Sequence, residues 1–245
     1  NFGLINKGIY GNAKLVLEKK FHGLNAVRFG MDYGYSNEKS SYTLYDGTKY
    51  DEKITDNLFA GFAETDVYLT NNLAAKIGAR LEHSSLMKKW NIAPRASLAY
   101  KTGNNSQASF AYGIFYQNPE RRILPGVAGL DYSKADHYIL QYINQTKNYT
   151  FRTEVFYKNY DRLYKTGLSS NDRDIATNTN GFGYAKGAEL FWRDKKTIKN
   201  VDYWVSYSYL DTKRDYLNFP TEMRPSFAAT HTASFVFKRF VLPWK

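Results

Sequence analysis

The sequence predicts an all-β protein, an antiparallel up-and-down meander of about eleven strands. Three observations carry this. Stretches of ten or more residues with period-two alternation recur along the whole chain. The connections between them alternate short and long. The 245 residues include 22 Tyr and 16 Phe, residue types that favour strands.

Taken in order, the alternating segments are 12–21, 25–37, 57–70, 73–85, 92–102, 106–117, 134–146, 149–162, 182–195, 200–212 and 228–240. In NAVRFGMDYGY, Val27, Phe29, Met31, Tyr33 and Tyr35 oppose Arg28, Gly30, Asp32 and Gly34. In LAAKIGARLEH, Leu73, Ala75, Ile77, Ala79 and Leu81 oppose Lys76, Gly78, Arg80 and Glu82. In GAELFWR, Ala188, Leu190 and Trp192 oppose Glu189 and Arg193. NVDYWVSYSYLD sets Val201, Tyr203, Val205, Tyr207 and Tyr209 against Asp202, Ser206 and Ser208. DYSKADHYILQYINQ also fits a helical stripe through Ala135, Tyr138, Ile139 and Tyr142. It reads as a strand because a short turn joins it to YTFRTEVFYKNY.

The short connections are HGLN, NN, GNN, TKN, KTIKN and LPW, with the Asn, Gly and Pro of turn chemistry. The long ones are Ser36–Asp56, Ser84–Asn91, Asn118–Ser133, Leu163–Gly181 and Lys213–Phe227. A meander sorts these to opposite ends, giving one trim rim and one elaborated rim. That asymmetry is the outer-membrane barrel pattern of short periplasmic turns and long extracellular loops. Segment lengths agree, since a tilted membrane strand needs about 9–11 residues. Aromatics gather near segment ends, at Tyr33, Tyr68, Tyr100, Tyr116, Tyr157 and Tyr209 among others, as interfacial girdles require. On this reading Ile77 and its partners face lipid, and Arg80 and its partners face water.

Composition bounds the chemistry. With no cysteine, disulfides and thiolate metal sites are excluded. Six prolines and 43% hydrophobic residues argue against long disorder. The net charge of +11 is spread among acids along the chain, without the basic run of a nucleic-acid arm. Mean hydropathy is −0.57, and no apolar stretch approaches the about 18–20 residues of a spanning helix.

Recognised motifs are weak. Gly181, Gly183 and Gly187 in NGFGYAKG lack the spacing and βαβ setting of a dinucleotide loop. His22, His83, His137 and His231 are dispersed, so no metal site is expected. The N-x-S/T sequences at Asn104, Asn144 and Asn148 matter only in a eukaryotic secretory setting. No catalytic triad or zinc motif occurs. The polar parity carries Glu64, Asp66, Lys76, Arg80, Glu82, Arg152, Glu154 and Glu189. Paired carboxylates such as Glu64 and Asp66 would suit a glycosidase, whose turnover would then depend on Glu64 or Glu189. A mixed ladder facing a hydrated lumen suits them better, and could cradle a plug. In the long connections, Trp90, Tyr116, Asn118, Arg121, Arg122 and Tyr132 form the aromatic-plus-Arg mix that binds carboxylate or phosphate ligands. A solvated loop explains them equally well at this level.

Several phrases resemble the barrel of TonB-dependent outer-membrane receptors: FAGFAETDVYLTNNLAAKIGARLEHSS, ASFAYGIFYQNPE, YSKADHYILQYINQTKNYTFRTEVFYKNYDRL, and GFGYAKGAELFWR with NVDYWVSYSYLDTKRDY. The likeness runs over about residues 57–240. It implies a barrel of about 22 strands with a plugged lumen. Residues 1–245 would be a partial barrel domain, an interior-to-late segment ending at LPWK in a periplasmic turn, without the plug or the segment that engages the energy-coupling protein. The implied role is active uptake of a scarce nutrient, such as a ferric siderophore, haem, cobalamin or an oligosaccharide. The implied partners are the TonB coupling complex, outer-membrane lipid and a small-molecule chelate, with no cofactor, no nucleic acid and no bond chemistry. The alternative is a soluble all-β ligand- or carbohydrate-binding module, such as a lectin-like sandwich whose apolar parities meet in a core.

Overall fold

In a computed structural model, the structure describes residues 3–21, 23–43, 47–120, 129–168 and 174–241. His22, Arg121, Arg122 and the LPW turn lie outside them. Eleven strands form one antiparallel sheet in sequence order. They are β1 (Gly3–Lys20), β2 (Ala26–Thr43), β3 (Lys49–Tyr68), β4 (Leu73–Ser84), β5 (Lys89–Gly103), β6 (Ser106–Gln117), β7 (Ser133–Gln145), β8 (Tyr149–Leu168), β9 (Asp174–Asp194), β10 (Val201–Asp215) and β11 (His231–Arg239). The ambiguous stretch after Tyr132 is a strand, β7, paired to both neighbours. No second sheet is present among the described residues, so the apolar parities meet no opposing layer. The sandwich alternative is thereby overturned.

The register aligns the parities across the sheet. Ile77 lies opposite Thr65 and Ala96, and Leu81 opposite Gly61 and Ile92. Leu140 lies opposite Phe110 and Val155, and Tyr207 opposite Leu190 and Ala233. One face is therefore continuously apolar and open, with Ile77 58%, Ile92 59%, Leu140 56% and Phe235 64% exposed. Leu73 to Leu81 covers about 26 Å along the strand at about 3.3 Å per residue. After tilting, that suits an apolar band about 25 Å tall.

Ring contacts border this band on both sides. Towards the elaborated rim, Tyr33 meets Phe59 at 4.8 Å, His83 meets Trp90 at 4.8 Å, Tyr112 meets Tyr138 at 5.0 Å, and Tyr209 meets His231 at 5.4 Å. Towards the trim rim, Tyr149 stacks on Trp192 at 5.7 Å and Tyr142 meets Phe151 at 6.2 Å.

Three connections differ from expectation, one being Leu163–Gly181, which is taken up largely by β8 to Leu168 and β9 from Asp174. Ser84–Asn91 closes between Ser84 and Lys89, helped by Lys88 at φ 53° and its N–H donating to the Ser84 carbonyl at 2.9 Å. Trp90 is thus a β5 residue on the apolar face, not a loop residue. The stretch Ser36–Asp56 is mostly ladder, since β2 and β3 pair without a break out to Thr43 and Lys49.

On the opposite face, bulky rings lie on glycines. Gly30 pairs with Phe62 and Gly187 with Phe156. A Cβ on Gly187 would stand 2.2 Å from the Tyr209 carbonyl oxygen and 2.8 Å from the Phe156 ring. The missing side chain is what admits the ring.

Candidate functional site

The polar face and the elaborated rim hold nearly all the clustered chemistry. On β1–β4 the charged side chains form two networks. Arg28 donates to Glu18 at 2.6 Å, to Asp66 at 2.6 Å and to Glu64 at 3.3 Å, while Lys76 stands 3.3 Å from Glu64 and 3.6 Å from Asp66. Towards the elaborated rim, Arg80 donates to Asp32 and, at 3.1 Å, to Glu82, and Lys14 approaches Asp32 at 3.8 Å. The register brings these together because Arg28 is opposite Glu18 and Glu64, and Asp66 opposite Lys76. A recess of about 580 Å³ opens here, lined by Lys14, Phe62, Glu64, Lys76, Arg80 and Arg95 among others.

Arg152, Glu154 and Glu189 share this face through their register but stand apart from those networks. Glu154 lies directly opposite Glu189 and accepts a hydrogen bond from Gln141 at 3.0 Å. Arg152 sits over the Phe191 ring at 5.7 Å. Glu64 and Glu189, the two carboxylates singled out from sequence for a glycosidase, lie on β3 and β9, separated by the strands between them.

At the elaborated rim the connections fold onto the sheet and make its only hydrophobic cluster among the described residues. Met87, Leu130, Tyr132, Tyr164 and Ala176 are buried together, with Ile54, Leu86 and Tyr116 packed against them. Asp56 is the polar centre. It accepts from Ser84 Oγ at 2.7 Å, Leu86 N–H at 3.1 Å, Ser85 Oγ at 3.2 Å and Asn118 Nδ2 at 3.2 Å. A buried carboxylate needs several donors of this kind to stay in place.

Tyr132 is 1% exposed, and its hydroxyl is fully engaged, accepting from Ser84 N–H at 3.0 Å and donating to the Lys89 carbonyl at 2.8 Å. The Tyr132 hydroxyl and the Asn118 amide, expected as ligand contacts, are bonded to the protein at the two ends of the β6–β7 connection. Tyr116 packs edge-on to Tyr132 at 6.2 Å, under the Arg162 guanidinium at 5.5 Å. Tyr164 donates to the Asp131 carbonyl at 2.7 Å. Asp131 itself bridges Lys89 and Arg162, each at 3.2 Å. Burial opposes its ionisation, but the Tyr132 N–H, Lys89 and Arg162 outweigh that and hold the carboxyl below its usual value. Burial pushes the Tyr132 phenol up.

A second clamp lies on β10. Arg214 sits over Tyr160 at 4.4 Å, with Phe227 at 5.6 Å and Tyr216 at 5.8 Å, and its Nε is buried without a partner. Lys165 pairs with Asp215 and donates to the Phe219 carbonyl at 2.6 Å, holding the β10–β11 connection against β8. Sequence reasoning passed over Asp56, Ser84, Tyr164 and Arg214. One signal was available: Leu86–Met87, an apolar pair inside an otherwise polar turn. Among the described residues no cluster of three or more His, Asp or Glu could hold a metal ion.

The TonB dependent receptor-like β-barrel family matches residues 4–245. No curated protein matches in sequence. Solved structures do match in fold. An iron transporter, FrpB from Neisseria meningitidis, aligns at a TM-score of 0.74 and 12% identity, over 94% of this chain and 41% of its own. The ferric enterobactin receptor of Pseudomonas aeruginosa, a mutant in complex with enterobactin, aligns at 0.68 and 12%, over 85% and 36%. The outer-membrane transporter YddB of Escherichia coli aligns at 0.66 and 14%, over 87% and 34%. The chain thus spans about a third to two-fifths of the length of these proteins.

Proposed function

The chain belongs to the TonB-dependent receptor β-barrel family, a family of bacterial outer-membrane transporters, and on that premise we propose that it forms about half the wall of a 22-stranded importer of a scarce nutrient. The observation that carries this is the sorting of the sheet into two surfaces. One is apolar, open and bordered by rings. The other is an ion-paired ladder leading up to a rim of inward-folded connections. In lipid the first surface faces acyl chains, and the second lines the lumen.

In this reading Lys76, Arg80, Glu82, Glu64 and Asp66, with Arg152, Glu154 and Glu189 further round the wall, line the lumen and offer paired charges to a plug. Such pairs keep the wall hydrated and let a plug shift by exchanging partners of similar energy. At the rim, Asn118 and Tyr132 hold the β6–β7 connection, which carries Arg121 and Arg122 to meet an anionic chelate. Trp90 belongs to the lipid-facing belt. The iron transporter and the ferric enterobactin receptor among the fold relatives make a ferric chelate the first ligand to try. Energy reaches the barrel through the TonB complex and the plug.

The test is growth of a strain lacking the full-length receptor, with iron supplied only as single chelates, then haem, then cobalamin. Loss of growth on one supply, reproduced by loss of the coupling protein, is the expected result. Undiminished growth on every supply would sink the import reading.

A further inference from the structure

Above the ring belt, the β1–β3 sheet gathers lysines on its outward face. Lys7 lies directly opposite Lys39, and Lys39 directly opposite Lys53. All three share the parity of Ile9, Leu15, Met31, Tyr33 and Phe59, the outward apolar face, and all are exposed. Lys49 stands further up the same face of β3. Of the acids of these segments, Glu38 and Glu52 take the other parity, where Glu38 accepts the Tyr10 hydroxyl, and Asp51 takes the outward one. On the outward face the nearest acid by sequence is Asp51, which accepts Ser41 Oγ at 2.5 Å. No carboxylate of the described residues pairs with Lys7, Lys39 or Lys53.

Like charges directly opposite on a sheet repel, and the single outward carboxylate, Asp51, is engaged by Ser41, so four lysines leave an excess of positive charge that a counter-anion would relieve. The register is unbroken through this row, so the outward direction is fixed by the ladder. Below it, on the same face, Leu15, Met31, Tyr33, Phe59, Leu81 and Trp90 rim a groove of about 580 Å³ floored by Ala13 and Gly61. Tyr33 to Lys39 is about 20 Å along the strand at about 3.3 Å per residue, or about 14 Å in height at about 45° tilt. The lysines therefore stand at sugar level above the acyl zone, on the extracellular side.

We propose that the outward face of β1–β3 is a docking site for a phosphorylated glycolipid of the outer leaflet, its phosphates on Lys7, Lys39 and Lys53 and an acyl chain in the groove below. The inference rests on the membrane placement of the apolar face and not on the import reading. Charge complementarity and continuity with the lipid-facing band select this occupant over a protein partner.

The experiment uses the full-length receptor in detergent, titrated with lipopolysaccharide, with its deacylated phosphorylated saccharide and with inorganic phosphate. Changing all three lysines to Gln should weaken lipopolysaccharide binding about tenfold or more and flatten its salt dependence. Gly61→Leu should weaken only the acylated ligand, because a Cβ there meets nothing nearer than the Gly30 carbonyl oxygen at 4.0 Å and the side chain simply fills the groove. Heat-modifiable migration of each variant certifies folding. Unchanged lipopolysaccharide binding by the folded lysine variant overturns the proposal. So does inorganic phosphate competing as well as the glycolipid, which would mark a generic anion site. Uptake by the receptor is a separate readout, so failure of this site and failure of the import reading are distinguishable.

Discussion

At the trim rim most side-chain bonds stay within one connection, with Asn25 Oδ1, which accepts from Tyr68 N–H at 2.7 Å, reaching across. Thr70 Oγ1 accepts from the N–H groups of Asn72 at 3.2 Å and Leu73 at 3.0 Å, and Thr146 Oγ1 accepts from Asn148 at 3.2 Å and Tyr149 at 3.0 Å. Asp194 does the same for Lys196 at 2.7 Å and Thr197 at 2.9 Å. At the elaborated rim the bonds join residues far apart in sequence: Ser84 and Asn118 to Asp56, Tyr132 to Lys89, Tyr164 to Asp131. One rim closes strands and the other assembles a surface. Side-chain hydrogen bonds over two or three residues suffice for a turn, whereas positioning several connections over one mouth needs a shared core.

The sharpest way to break this contrast is Tyr132→Ala. Removing a buried aromatic and its two hydrogen bonds should lower the opening free energy of residues 129–132 by about 3–5 kcal/mol. Hydrogen exchange should then show lost protection at Ser84 and around Lys89, with the Thr70 and Thr146 turns unchanged. Loss spread evenly over both rims would mean that they fold as one unit. Asp56→Ala comes next, at about 2–3 kcal/mol, because it strands buried donors of Ser84, Ser85 and Leu86. Asp56→Asn keeps one acceptor and should cost less.

How legible each rim was in the sequence follows the same division. TNNL and TKNY read as turns on sight, because the donor and acceptor lie within the same four residues. All eleven strands were legible where one side met lipid and the other water. The reading shortened β1, β2, β3, β8 and β9 where they rise past the apolar band. There both faces are wet, so SNEKSSYT and KYDEKIT lose their alternation while keeping their pairing. At β8 a further irregularity intervenes, since the register shifts around Leu163 and Arg162 adopts φ 54°. The charged ladder was legible as one parity, but its partition into separate networks depends on which strands neighbour each other. Asp56 carries no local mark; its role comes from Ser84 and Asn118, distant in sequence.

Glycine substitutions sharpen the comparison between the two faces. Gly187→Ala drives a Cβ into the Tyr209 carbonyl oxygen and the Phe156 ring, so a loss of about 1–3 kcal/mol is expected in urea unfolding from lipid vesicles. Gly61→Ala on the apolar face meets open space and should be within about 0.5 kcal/mol of the parent. Equal effects would contradict the assignment of the crowded face to the polar wall.

The smallest expected effect is a pH dependence confined to the elaborated rim. The carboxyl of Asp131 is held below 3.8, so folding of the rim binds fewer protons than its open state. The stabilisation is therefore complete above about pH 4 and is lost as pH falls through the depressed value. Hydrogen-exchange opening of residues 129–132, corrected for intrinsic rates, should stay flat from pH 7 to 5 and rise only below 4. Asp131→Asn should remove that rise and leave a constant, slightly higher opening at all pH values. Because Asp131 is partly exposed and its pairs with Lys89 and Arg162 are screened, the effect should be well under that of Tyr132→Ala.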